Sequence, residues 1–167
     1  MTATANTNNN GNAVAGACRI HDQAMKRYAQ GDHKKAESLF LQTLKMLKLA
    51  EGSDHPDVAQ VLNNLPAIYE DRCEYVPAEQ CYRRSVRIME KANDFGDTEI
   101  IKLRLQSWQN LGRIHQAQGR YDEAEPIFKQ GLALSEQVFG SQSPEVAEAL
   151  NQLGMLYKYA GRFPEAG

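Results

Sequence analysis

Gly119-Arg120-Tyr121-Asp122-Glu123-Ala124-Glu125 is the stretch that decides the fold, because the chain repeats it. Gly31-Asp32-His33-Lys34-Lys35-Ala36-Glu37 is a further copy, and Cys73-Glu74-Tyr75-Val76-Pro77-Ala78-Glu79 is a degenerate one. Gly161-Arg162-Phe163-Pro164-Glu165-Ala166 is the last. The alanines fall at 36, 78, 124 and 166, so the steps are 42, 46 and 42 residues. Self-similarity at such a period signals a stack of supersecondary units that bury a core between neighbours.

A second column fixes the frame. Twelve residues before each alanine stand Ala24, Pro66, Gly112 and Gly154. Leu65, Leu111 and Leu153 precede three of them, and Tyr69, His115 and Tyr157 follow at one offset. A small residue in each column lets two helix backbones approach closely. This small-x₁₁-small spacing across a Gly-x-Tyr/Phe turn resembles the tetratricopeptide repeat, and the resemblance covers roughly residues 18–166. The longer form of that repeat, found in kinesin light chains and related bacterial proteins, is similar in its loop and helix start. The matching residues are Gly52-Ser53-Asp54-His55-Pro56-Asp57-Val58-Ala59 with Leu62-Asn63-Asn64-Leu65, and Ser143-Pro144-Glu145-Val146-Ala147 with Asn151. The resemblance implies an all-α, right-handed α-solenoid of antiparallel helix pairs, about three and a half repeats long. The repeats are expected at 14–52, 56–96, 97–140 and, incomplete, 144–167.

Composition narrows the function. At 42% hydrophobic and 24% charged residues the chain has an ordinary globular make-up. A formal charge of −2 lacks the basic footprint of a nucleic-acid binder. No apolar run approaches the ~20 residues of a membrane helix, and Met1–Asn12 has no signal-peptide pattern. That Thr/Ala/Asn-rich stretch reads as a disordered polar tail. Cys18, Cys73 and Cys81 are an odd count without CxxC spacing, so neither a disulfide framework nor a zinc site is expected. Reduced, mostly buried thiols in a cytoplasmic protein are.

Helix signals follow the frame. Val14–Gln30 and Lys34–Ala50 form the first pair, with Gly31 capping one and Gly52 closing the other. His55, Pro56 and Asp57 start the next helix, and Ser143, Pro144 and Glu145 repeat that chemistry. Pro66 inside Pro56–Asp71 predicts a bend near Leu62–Leu65 or a local widening. Asp97 or Thr98 caps a longer helix reaching Gln118, in which Ile100, Leu103 and Leu105 extend past the usual repeat edge, for a partner or to seal the stack. The final helix is expected to expose Leu153, Leu156 and Tyr157, which reads as a fragment of a longer array or an end covered by another copy.

On the resemblance, the first helix of each pair lines a concave face. The frame then selects Cys18, His21, Met25 and Tyr28; Gln60, Asn63, Asn64, Ala67 and Glu70; Gln106, Gln109, Asn110, Arg113 and Gln116; and Glu148, Asn151, Gln152, Met155 and Lys158. Of these, Gln60, Asn63, Asn64, Gln106, Gln109, Asn110, Arg113, Asn151 and Lys158 are the candidate peptide-binding residues. An amide offers donor and acceptor together, so a row of them can bracket a peptide backbone. The alternative is that Asn64, Asn110 and Gln152 bond to the next helix or to water. The chaperone-binding members of the family hold a C-terminal carboxylate with Lys, Arg and Asn; only Asn64 and Arg113 match. Arg113 and Lys158 favour a peptide with one or two acidic residues. None of His21, His33, His55 and His115 has a carboxylate or nucleophile at a sequence spacing that would orient it, and no phosphate loop is present, so no catalysis, cofactor or metal is expected. The competing reading is a spacer or a self-association module pairing through the last helix.

Overall fold

The computed structural model describes residues 3–92 and 97–161, and every regular element among them is helical. The elements are α1 (Ala3–Ala29), α2 (His33–Ala50), α3 (Pro56–Asn64), α4 (Pro66–Asp71), α5 (Tyr75–Lys91), α6 (Thr98–Ala117), α7 (Tyr121–Phe139) and α8 (Pro144–Tyr159). They fall into two compact units divided after Asn93. In the first, α1 packs on α2, and α3 and α4 pack on α5; in the second, α7 packs on α6 and on α8. The four inserted residues around Gly96 lie partly outside the described residues.

The repeated signature makes one turn three times. Asp32 N–H reaches Arg27 O at 2.9 Å, Glu74 N–H reaches Tyr69 O at 2.8 Å and Arg120 N–H reaches His115 O at 2.9 Å. Each is the six-to-one bond that satisfies an orphan carbonyl at a helix end. This closure needs a left-handed residue, supplied by Gly31 (φ 78°), Gly119 (φ 73°) and, without a glycine, Cys73 (φ 58°). The degenerate copy therefore keeps the geometry and carries the strain.

Helix starts form as expected. His55 accepts from Asp57 N at 3.3 Å, Ser143 from Val146 N at 3.3 Å and Asp97 from Glu99 N at 2.9 Å. Pro66 divides the second repeat's first helix: α3 ends at Asn64, and Ile68 N–H reaches Leu65 O at 3.2 Å, an i–3 partner. The expected irregularity is thus a broken ladder at Leu65, whose own backbone stays helical (φ −53°, ψ −40°).

Three observations differ from the sequence reading. α1 begins at Ala3, within the stretch read as a tail; Asn10, Gly11 and Asn12 there are exposed. Cys18 and Cys73 are exposed and only Cys81 is partly covered, because Cys18 faces outward on α1 and Cys73 occupies a turn. Leu153 and Leu156 are not exposed: they are 7% and 1% accessible, packed on Ala124 and Phe128 of α7 with Tyr157 alongside. The large apolar side chains that α8 does expose are Leu150, Met155 and Tyr159. Likewise Leu105 seals, joining Ile101 and Leu134 with Trp108 and Phe139.

The frame also places ties between successive repeats that the sequence reading missed. Tyr157 on α8 donates to Glu125 on α7 at 3.0 Å, and Tyr69 on α4 faces Glu37 on α2 closely enough for the carboxylate to act on its phenol. Each glutamate directly follows a signature alanine, and each tyrosine stands three residues after the small position. Burial beside Glu37 pushes the Tyr69 phenol up to about 12.

Candidate functional site

In the first unit the repeats' leading helices and the second helix between them enclose a hollow of about 190 Å³. Cys18, His21 and Asp22 come from α1, Gln60 and Asp57 from α3, and Thr43 with Leu47 of α2 makes the floor. His21 is held on three sides. Its ring meets Phe40 edge-on at 5.6 Å, its Nε2 lies 3.0 Å from Asn64 Nδ2 and its Nδ1 lies 4.0 Å from Asp22. Burial lowers its pKa, and Asp22 opposes that less strongly. A mostly neutral imidazole then accepts the Asn64 amide proton.

The predicted residues of this unit separate into two kinds. Gln60 is exposed at the mouth of the hollow. Asn64 is spent on His21, and Asn63 is buried at 5% accessibility, so both amides belong to the wall itself. Glu70 accepts from Tyr82 at 2.5 Å and joins them as a structural group. Asp22 and Asp57 were not among the predicted residues although Asp22 stands at a frame offset used in the other repeats; they give this hollow an acidic rim.

In the second unit the leading helices are α6 and α8. Gln106 and Arg113 are exposed on α6, and Gln109 and Asn110 are half-buried there. Asn151 and Lys158 are exposed on α8. Gln109 and Gln152 converge on one narrow cleft, lined also by Trp108, Ile127 and Phe128. The cleft admits only about 10 Å³, room for about one water, so Gln109 and Gln152 flank a packed aromatic floor and do not open a side-chain pocket.

One further set of groups gathers at the start of α3. Glu51, His55 and Asp57 bring ligand-type atoms within 4.8 Å of one another. His55 Nδ1 lies 2.8 Å from Glu51 Oε2 while accepting the Asp57 amide. Burial raises the Glu51 pKa, and His55 opposes it. The imidazole nitrogen is already committed to capping, so the geometry is that of a helix start.

The tetratricopeptide repeat model matches residues 17–91 and 103–166. Two curated fungal relatives, clustered mitochondria protein homologs of Ajellomyces capsulatus and Emericella nidulans, are 22% identical over 137 residues. That match covers 82% of this chain and 11% of each relative, so the chain spans about a tenth of their length. Among solved structures, TPR-like repeats ascribed to a kinesin light chain of Podosopora anserina superpose with a TM-score of 0.73 at 22% identity, covering 87% of this chain and 67% of that one. BtubC (BKLC) from P. vanneervenii superposes at 0.75 and 20% identity, over 88% of this chain and 57% of that one. These likenesses establish the α-solenoid fold.

Proposed function

The chain belongs to the tetratricopeptide repeat family, and from that premise we propose that it binds an extended segment of a partner protein on its leading helices. Repeats of this family generally serve as protein-interaction scaffolds. The observation that carries the reading is the hollow beside His21 and Gln60; in the other unit Gln109 and Gln152 offer their amides over a nearly closed aromatic floor. The two faces differ in charge. Asp22 and Asp57 favour a basic or neutral side chain at the first, whereas Arg113 and Lys158 favour one or two acidic residues at the second.

A random-peptide display selection against the whole chain, followed by anisotropy titration of the recovered peptides, tests this. Gln60→Ala should weaken peptides bound at the first face about tenfold, and Gln109→Ala or Arg113→Gln should weaken those bound at the second, each amide or charge being worth about 1–2 kcal/mol. Peptides that bind all three variants as tightly as the parent would sink the assignment. The second reading, self-association, is favoured by Leu150, Met155 and Tyr159 standing exposed on α8. Light scattering over a concentration series separates it: a dimer abolished by Leu150→Ser with Tyr159→Ser supports pairing. A monomer at all concentrations excludes it.

A further inference from the structure

The outer face of α5 has a character the leading helices lack. Arg83, Arg87 and Lys91 recur four residues apart and are exposed, and Arg84 lies half-buried at their edge. With Asp54 and Gln80 they line an open hollow of about 430 Å³. Two of the cations are compensated: Arg83 pairs with Glu79 at 2.7 Å and Lys91 with Asp54 at 2.8 Å. Among the described residues Arg84 donates to a neutral carbonyl, Ser53 O, at 3.3 Å, with Asp54 near enough to feel its charge. Arg87 pairs with no carboxylate among the described residues, and Glu90, three residues on, makes no ion pair with it.

Charge is crowded here as well as unmatched. Lys48 on α2 stands close enough to Arg84 for the guanidinium to lower its pKa, after burial, the larger cause. Five cations (Lys48, Arg83, Arg84, Arg87, Lys91) therefore meet three carboxylates (Asp54, Glu79, Glu90). Guanidinium forks bind carboxylates bidentately, so such a face gains most from an anion that reaches several of them at once. Spacing selects the kind of anion. Residues four apart on a helix are about 6 Å apart along its axis, and alternate residues of an extended chain are about 6.6 Å apart.

We propose that this face of α5 docks an extended segment of a partner protein in which Asp or Glu occupies every second position. Arg87, with Arg84 beside it, takes the central carboxylate, and the pitch of about 6 Å sets its neighbours over Arg83 and Lys91, which already hold Glu79 and Asp54 and so contribute less. The surface lies on a second helix of a repeat, so it is separate from the leading-helix faces and would survive their loss.

The test is anisotropy of a fluorescein-labelled octapeptide of alternating Glu and Ser, titrated with the full chain at 50 and 300 mM salt. Binding that weakens with salt is expected, reduced at least about tenfold by Arg84→Gln with Arg87→Gln. Lys34→Gln with Lys35→Gln, which removes the same charge from the exposed start of α2, should change it less than about twofold. Circular dichroism confirms that both double variants fold. Gln60→Ala and Gln109→Ala should leave the octapeptide unaffected, which separates failure here from failure of the leading-helix sites. No binding to the parent chain overturns the proposal. So does equal loss in both double variants, which would mean bulk charge alone. Inorganic phosphate or anionic vesicles that bind in an Arg84- and Arg87-dependent way, when the peptide does not, also overturn it.

Discussion

Gly112 and Gly154 hold the same register position, yet their replacement by alanine should differ in effect. A Cβ on Gly112 would lie 2.6 Å from Phe128 Cε1 and 2.8 Å from its Cζ. The ring must give by most of an ångström, and it is 3% accessible, locked among Ala124, Leu153 and Leu156. Such overpacking costs about 1–3 kcal/mol, while glycine-to-alanine in a helix returns about 1 kcal/mol. The net expectation for Gly112→Ala is a loss of about 0–2 kcal/mol. A Cβ on Gly154 meets nothing within 4 Å, so only the propensity gain of about 1 kcal/mol remains there. The two variants should therefore differ by roughly 1–3 kcal/mol, the overpacking cost itself. Urea denaturation read by circular dichroism measures the total, and fluorescence of Trp108, which lines the cleft with Phe128, reports the unit concerned. A Gly112→Ala chain that gains as much stability as the Gly154→Ala chain would refute close approach at this column.

Three other outcomes are expected. Cys73→Gly should stabilise by about 0.5–1 kcal/mol in the same assay, since the left-handed cost exceeds the entropy that glycine adds; no gain would mean the turn is unstrained. His21, with its folded pKa below the ordinary 6.5, leaves the unfolded chain to bind the proton first. Stability should thus be lost as pH falls from about 6.5 through the lowered folded value, and His21→Gln should flatten that slope in thermal melts at stepped pH. Burial pushes the Cys81 thiol up to about 11, so mass mapping after brief iodoacetamide treatment at pH 8 should find Cys18 and Cys73 alkylated well before Cys81.

Most of the fold was legible because it is written in residues that act locally. Glycine at a left-handed turn, Ser-Pro and His-Pro at a helix start, and alanine at a crossing each specify geometry within a few positions. The site was less legible because a frame offset names a helix face only to within about one residue. Asn63 and Asn64 are neighbours in the row, yet one is buried and the other satisfied by His21. Leu153 and Leu156 were assigned to an open surface because the partner counted was the helix to follow; α7, already present, covers them. The Tyr69–Glu37 and Tyr157–Glu125 ties were readable in principle, since each partner sits at a fixed place in the period. The arginines of α5 lie in the second helices, outside the columns that the resemblance singles out.

Those phenol–carboxylate stitches bear on how such a chain can lengthen or shorten. The acid stands at the start of one module's second helix and the tyrosine inside the next module's first helix. Unequal crossing-over that sets a module carrying the tyrosine after one carrying the acid would thus bring the two back together at the new junction, whereas the module with His115 at that address would not. The seam therefore favours the gain or loss of some modules over others without a matching second mutation.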